Sequence, residues 1–136
     1  MPDAGARGTD SYVVDASVLV DLAILRVGWR EMAARLGGRA LHAPAHVDVE
    51  VMSALARLER AGTLSADQAG SALTRFLHAP VTRHPLPDLA QGAWRRTKQL
   101  RVADAFYVEL AASLGLRVLT ADARLARASD LADLVD

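Results

Sequence analysis

Two aspartates follow short runs of residues that favour β-strands, and their carboxylates could bind a ligand together. Asp15 follows residues 12–14, and Asp122 follows the apolar run that ends at residue 119. In open parallel α/β sheets, ligands bind in the crevice outside the carboxyl ends of the strands. Both carboxylates would therefore face one crevice if these two strands lie near each other. Aspartate is also a favoured helix N-cap residue, and for either residue alone capping is the simpler explanation.

A third carboxylate lies on the apolar side of a predicted helix. Residues 103–114 are almost entirely apolar, and the polar residues in their interior, Glu109 and Ser113, form one narrow strip. At about 100° per residue, Asp104 projects from the opposite side of this helix. A carboxylate that faces the buried side of a helix is costly unless it is paired, hydrogen-bonded or bound to a metal. Capping of the first helical turn is the alternative explanation for Asp104.

Two further acids flank the apolar stripe of the predicted helix at residues 45–61. Glu50 lies at one edge of this stripe and Asp48 lies at the other. The periodicity does not choose between them, and either side chain could simply belong to a solvated flank.

Considered together, the acids indicate a metal site more strongly than any one of them does alone. Several carboxylates that converge without a matching lysine or histidine repel one another. A divalent cation removes that repulsion, and a ligand set made only of oxygen atoms suits Mg²⁺ or Mn²⁺. Such ions orient phosphates and activate water for in-line attack, through one metal or two. The pattern therefore favours metal-dependent chemistry at a phosphate group.

The elements that would position these acids alternate along the chain. Runs of β-branched and apolar residues predict strands, and apolar residues at helical spacing predict helices. The predicted strands are residues 12–14, 40–43, 81–83, 117–119 and 134–135, and the predicted helices are residues 17–26, 29–36, 45–61, 65–78, 88–100, 103–114 and 122–127. This alternation predicts an α/β fold with a mainly parallel central sheet flanked by helices.

The composition limits the classes of function. The 136 residues predict a single domain over residues 11–136, preceded by a flexible N-terminus at residues 1–10. The 16 basic and 16 acidic residues balance, so any nucleic acid must bind a local basic patch. The densest basic run is a candidate RNA contact, although a solvated face is the simpler explanation; it comprises Arg95, Arg96, Lys98 and Arg101. The absence of cysteine excludes disulfides and cysteine-ligated zinc.

No segment of the sequence predicts a membrane or export signal. The N-terminus lacks the apolar centre of a signal peptide. The apolar stretch at residues 12–27 is interrupted by Asp15, Asp21 and Arg26, so it does not predict a membrane span. We therefore expect a cytoplasmic protein that does not bind membranes.

Four segments, in this order, resemble the sequence blocks of PIN-domain ribonucleases: VVDASVLVDL, HAPAHVDVEVMSAL, VADAFYVELAASLG and RVLTADARLARA. The resemblance covers residues 12–135, and the order and spacing of the four blocks make it specific although each block alone is weak. The resemblance selects Glu50 over Asp48 as the second acid. It implies four catalytic metal-binding carboxylates and two supporting hydroxyls: Asp15, Glu50, Asp104 and Asp122, with Ser17 and Thr120. One departure is Val102-Ala103 before Asp104, where an aromatic residue is common.

The compact single-domain form is similar to VapC toxins of type II toxin–antitoxin systems. This similarity implies a PIN-like three-layer fold and an endoribonuclease that uses Mg²⁺, or alternatively Mn²⁺, to activate water. It further implies cleavage of structured RNA, such as a tRNA or rRNA loop, and neutralisation by a VapB-like antitoxin. We also expect a homodimer, for which Trp29 and Trp94 are available.

Two other functions are alternatives to this one. A haloacid-dehalogenase-type phosphatase would use Asp15 as nucleophile, but it usually needs a second aspartate at position 17, which is serine here, and a lysine beyond Lys98. A non-catalytic PIN-like module that binds RNA or protein is the main alternative. Because all four acids are present, the sequence favours the enzyme.

Overall fold

The computed structural model describes residues 11–135, in which strands and helices are interspersed. The strands are β1 (Ser11–Val14), β2 (Ala40–Pro44), β3 (Val81–His84), β4 (Val118–Thr120) and β5 (Ala132–Leu134). The helices are α1 (Ala16–Ala23), α2 (Trp29–Leu36), α3 (Val47–Arg60), α4 (Ala66–His78), α5 (Leu86–Arg96), α6 (Val102–Leu114) and α7 (Ala123–Ala128). The N-terminus predicted to be flexible, residues 1–10, lies outside the described residues.

The five strands form one sheet in the order β3-β2-β1-β4-β5. Every neighbouring pair is parallel. This arrangement confirms the predicted α/β fold with a parallel sheet flanked by helices. The strand order reverses direction at β1, which pairs with β2 on one side and with β4 on the other. The carboxyl ends of β1 and β4 therefore flank the switch point where α/β sheets bind ligands.

The central strands are apolar because both faces of the sheet are covered. Val13 and Val14 of β1 and Val118 and Leu119 of β4 are fully buried. Helix α6 packs against β1, β2 and β4 through its continuous apolar surface. Strands buried on both faces are expected to be apolar throughout instead of alternating with polar residues. The sheet and α6 thus form a rigid base beneath the strand ends.

Local signals fix several helix ends. The side chain of Ser65 accepts a hydrogen bond from the backbone N–H of Gln68, and the side chain of Gln68 accepts one from the backbone N–H of Ser65, which together form a capping box. Helix α6 ends at Gly115, whose φ of 68° is the left-handed conformation that glycine adopts readily. Helix α1 ends three residues earlier than predicted, because Leu25 takes a φ of 57° that a continuing helix does not allow.

Within residues 11–135, no helix combines the length and the apolar character needed to cross a membrane.

Candidate active site

All four predicted acids line one cleft at the carboxyl ends of β1 and β4. The cleft has a volume of about 560 Å³. Its acidic lining comprises Asp15, Asp21, Glu50, Asp104 and Asp122, and its basic lining comprises Arg26, Arg57, Arg101 and Arg124. The two strands are neighbours in the sheet, and the backbone N–H of Asp15 donates to the carbonyl of Leu119 over 2.9 Å.

Asp15 is held by hydroxyl groups from two separate elements. The Ser17 hydroxyl donates to Asp15 Oδ2 over 2.6 Å, and the Thr120 hydroxyl donates to the same oxygen over 2.8 Å. The backbone N–H of Ala121 donates to Ser17 Oγ over 2.9 Å, which fixes that hydroxyl in turn. Only 7% of Asp15 is exposed. Burial raises the pKa of its carboxyl group, although the two hydroxyl donors lower it and thereby oppose the shift.

Asp104 and Asp122 are bridged by one guanidinium group. Arg124 Nη2 donates to Asp104 Oδ2 and to Asp122 Oδ2, in both cases over 2.9 Å. Asp122 Oδ1 accepts a hydrogen bond from the backbone N–H of Arg124 over 2.9 Å. Asp122 is therefore the N-cap of α7, which is the alternative role considered for it from the sequence. Asp104 is 8% exposed and accepts its hydrogen bond from the arginine instead of capping its own helix.

Glu50 is oriented by the neighbouring helix α6. The Tyr107 hydroxyl, which is buried, donates to Glu50 Oε1 over 2.7 Å, and His46 Nε2 lies 3.4 Å from the same oxygen. His46 Nε2 also contacts the carbonyl oxygen of Ala103 at 3.1 Å. Because that carbonyl can only accept, we infer that Nε2 carries the proton. The imidazole therefore links α3 to the first turn of α6, next to Asp104.

Burial raises the pKa of the Glu50 carboxyl group, and the negative charges of Asp15 and Asp104 raise it further. The charge of Asp104 likewise raises the pKa of Asp15. Asp104 therefore opposes the ionisation of Asp15 and of Glu50, and a bound divalent cation would remove that opposition. Their donor atoms are all oxygen, which fits Mg²⁺ or Mn²⁺. As the side chains stand, no group of three or more histidine, cysteine or acidic residues within residues 11–135 is arranged to hold a metal ion.

The acid that the family resemblance set aside lies elsewhere. Asp48 is not part of the cleft lining, and its carboxylate pairs with Arg83, with 2.7 Å between Oδ1 and Nη2. Asp21 does line the cleft and pairs with Arg26 over 3.3 Å. No hydrogen bond between Asp21 and Ser17 or Thr120 is found within residues 11–135, and the side chain of Asp21 is 30% exposed.

The basic run proposed as an RNA contact is divided by the structure. Arg101 lines the cleft, whereas Arg95, Arg96 and Lys98 do not. Arg96 Nε donates instead to Glu109 Oε1 over 3.0 Å. An RNA role for the three residues outside the cleft stays a prediction.

Sequence reasoning missed three residues that organise the acids: Arg124, Tyr107 and His46. The periodicity of α6 indicates only that Tyr107 is buried. Arg124 does carry a signal, because a cation in the first turn of a helix opposes the helix dipole. That unfavourable placement suggests an acidic partner nearby.

The chain is similar in sequence and in fold to known proteins. The PIN domain model matches residues 12–131. Ribonuclease VapC3 of Mycobacterium tuberculosis is 52% identical over 121 residues, which cover 88% of each chain. Ribonuclease VapC12 of the same species is 38% identical over 115 residues, which cover 85% of this chain and 89% of the relative. The crystal structure of PAE2754 from Pyrobaculum aerophilum is similar with a TM-score of 0.66 and 26% identity, and the match covers 93% of this chain and 90% of that one.

Proposed function

Because the chain belongs to the VapC ribonuclease family of PIN-domain proteins, we propose that it is a Mg²⁺-dependent endoribonuclease and the toxin of a VapBC-type pair. The observation that carries the proposal is the convergence of four carboxylates on one cleft at the switch point of the sheet. Each of the four comes from a different family-like block of the sequence. Among residues 11–135, those four are therefore the candidate metal ligands: Asp15, Glu50, Asp104 and Asp122.

In the proposed mechanism, some residues of the site bind the metal ion and others orient these ligands. Mg²⁺, or alternatively Mn²⁺, when bound would neutralise phosphate charge and activate the attacking water. Ser17 and Thr120 hold the Asp15 carboxylate in one orientation, and Tyr107 does the same for Glu50. These supporting hydrogen bonds keep the donor oxygens in place against their mutual repulsion.

The substrate would enter along the basic side of the cleft. Arg57 and Arg101 line it and could contact RNA phosphates on either side of the cleaved bond. Water attacks the phosphorus atom and the bond to the 3′ oxygen breaks, which leaves a 3′-hydroxyl and a 5′-phosphate. The proposed substrate is a structured RNA such as a tRNA or rRNA loop, in the cytoplasm.

A VapB-like antitoxin and a second copy of the chain are the proposed protein partners. Trp94 on α5 is 72% exposed and Val102 at the start of α6 is 56% exposed. Exposed aromatic and apolar side chains are enriched at protein interfaces. Light scattering of the purified protein at micromolar concentration should show a dimer, and a mass that stays monomeric would contradict this part of the proposal.

The nuclease proposal is tested with matched variants of one helix. Glu50→Gln removes a proposed ligand, whereas Asp48→Asn removes a charge two residues away that pairs with Arg83 outside the cleft. The protein is freed of antitoxin, treated with chelator, and incubated with total tRNA and rRNA with or without added Mg²⁺ or Mn²⁺. We expect cleavage by the wild type and by Asp48→Asn only with metal, and a loss of orders of magnitude in Glu50→Gln and in Asp104→Asn.

Two results would contradict the proposal. Cleavage by Asp104→Asn at the wild-type rate would place Asp104 outside the reaction. A wild-type protein that binds RNA without cutting it under any metal condition would favour the alternative, a non-catalytic PIN-like module.

A further inference from the structure

Arg124 is the basic residue placed closest to the proposed metal ligands. Its guanidinium group contacts Oδ2 of Asp104 and Oδ2 of Asp122 at 2.9 Å. The side chain of Arg124 is 39% exposed, that of Asp122 is 36% exposed, and that of Asp104 is 12% exposed. One positive group thus offsets half of the negative charge of two carboxylates in the cleft.

The position of Arg124 in its helix is unfavourable apart from these contacts. It is the second residue of α7, where the exposed N–H groups and the helix dipole favour anions. The two carboxylates, each 2.9 Å from Nη2, offset that cost. The arginine is therefore held at this place by the acids.

The two parts of Arg124 bind different atoms of Asp122. The backbone N–H donates to Oδ1, whereas the guanidinium group donates to Oδ2. Removal of the side chain would leave the cap of α7 intact and would release only the Oδ2 atoms of Asp122 and Asp104. A divalent cation that approaches either of these Oδ2 atoms is repelled by the guanidinium group 2.9 Å away and competes with it for the same negative charge.

We propose that Arg124 is a place-holding cation, which offsets part of the negative charge of Asp104 and Asp122 in the metal-free protein and competes with the divalent cation for these two acids. The inference rests on the proposed function, because it assumes that these two acids bind metal. The arginine stabilises the metal-free cleft against repulsion between its acids. In doing so it lowers the affinity of the cleft for metal.

The competition is tested by calorimetric titration of chelator-treated protein with Mn²⁺. The variant Arg124→Ala is compared with wild type and with Arg127→Ala, which removes the same charge from an exposed position of the same helix. We expect Arg124→Ala to bind Mn²⁺ about tenfold more tightly than the other two proteins, since two partly exposed ion pairs are removed. Without metal, we expect Arg124→Ala to melt at a lower temperature than Arg127→Ala, and with saturating Mn²⁺ that difference should shrink.

A second measurement uses the wild-type protein alone. In ¹⁵N–¹H spectra, the Nε–Hε signal of Arg124, assigned with Arg124→Gln, should shift as Mg²⁺ is added, while that of Arg127 should not. This measurement and the Arg124→Gln titration keep the test decisive if Arg124→Ala fails to fold.

The outcomes separate this inference from the proposed function. If the wild type binds Mn²⁺ and cleaves RNA, but Arg124→Ala or Arg124→Gln binds Mn²⁺ equally or more weakly, the inference is overturned and the nuclease proposal stands. An Arg124 signal that stays unchanged at saturating Mg²⁺ overturns it in the same way. If the wild type binds no divalent cation at all, both the inference and the metal dependence of the proposed function are overturned.

Discussion

Thr120 and Asp15 lie 105 residues apart in the sequence, yet the hydroxyl of Thr120 donates to Asp15 Oδ2 over 2.8 Å. The same hydroxyl oxygen accepts the backbone N–H of Asp122 over 3.0 Å. Thr120 is completely buried. One hydroxyl group therefore connects two of the proposed metal ligands, and it can be removed without changing the shape of the side chain.

We expect Thr120→Val to weaken Mn²⁺ binding and RNA cleavage by about 10- to 100-fold, the usual effect of losing a hydrogen bond that orients a metal ligand. The variant should also lose about 1–3 kcal/mol of folding free energy, because a buried N–H loses its acceptor. Metal titration and urea unfolding measure the two effects. Thr82→Val, on the exposed side of β3, makes the same exchange away from the cleft and should change neither quantity much. Equal behaviour of the two variants would show that the Thr120 hydroxyl does not support the site.

Tyr107 is expected to act by positioning Glu50. Tyr107→Phe removes the 2.7 Å hydrogen bond to Glu50 Oε1 and keeps the buried ring. Metal affinity should fall by about tenfold or more, whereas the free energy of unfolding should fall by only about 1 kcal/mol. The pH profile of cleavage distinguishes positioning from packing, since the hydroxyl donor lowers the pKa of Glu50. Without that donor, the pKa of Glu50 should be higher and the acid limb of the profile should move to higher pH. A profile that does not move would indicate that Tyr107 only fills space.

Gly92 lets α5 approach the carboxylate of Glu109 on α6. A Cβ atom at position 92 would overlap with that carboxylate, which accepts the Nε–H of Arg96. Because Glu109 is a flexible side chain, we expect Gly92→Ala to displace the carboxylate and break its ion pair without displacing either helix. Alanine gains about 1 kcal/mol over glycine inside a helix, and the loss of the pair should cancel much of that gain.

A double-mutant cycle of unfolding free energies tests this account of Gly92. In the Glu109→Ala background the overlap is gone, so Gly92→Ala should be about 0.5–1 kcal/mol more stabilising than in the wild type. An equal effect of Gly92→Ala in both backgrounds would show that Glu109 does not limit the packing of α5 on α6.

A pair of histidines should make stability depend on pH. His42 Nδ1 on β2 lies 2.9 Å from His84 Nε2 on β3. Burial lowers the pKa of His42 below its ordinary 6.5, and the charge of His84 lowers it further. As the pH falls through 6.5, the unfolded chain takes up a proton that the folded protein resists, so folding stability declines. Urea unfolding between about pH 7.5 and pH 5 should show a steeper decline in the wild type than in His42→Gln. Parallel curves for the two proteins would contradict this assignment.

The sequence predicted the chemistry of the site better than its geometry. Asp15 and Asp122 could be recognised because each follows an apolar strand, but their proximity depends on β1 and β4 being neighbours, which no local pattern states. Asp48 and Glu50 show why the remainder was not predictable. Both lie at the edges of one apolar stripe on α3. The neighbouring elements that contact each side chain determine whether it lies in the cleft or outside it. Arg83 on β3 donates a hydrogen bond to the carboxylate of Asp48, and Tyr107 on α6 donates one to the carboxylate of Glu50.

The helix boundaries and the arginine bridge depended on tertiary structure for similar reasons. The end of α1 is set by the left-handed conformation of Leu25, which leucine seldom adopts and which local propensity does not favour. The pairing of Arg124 with Asp104 joins residues 20 positions apart on different helices. Periodicity reports which face of a helix is buried, but it does not report which side chain lies opposite.

The strand order also bears on how this protein is made. Asp15 emerges from the ribosome 105 residues before Thr120, and β4 is needed to complete the cleft. At usual rates of synthesis the interval is roughly 5 to 20 seconds. During that time the growing chain contains Asp15 and Glu50 but lacks β4, the strand that leads to Asp122. A product of interrupted translation that stops between Asp104 and Thr120 would hold three of the four acids and still lack an assembled cleft.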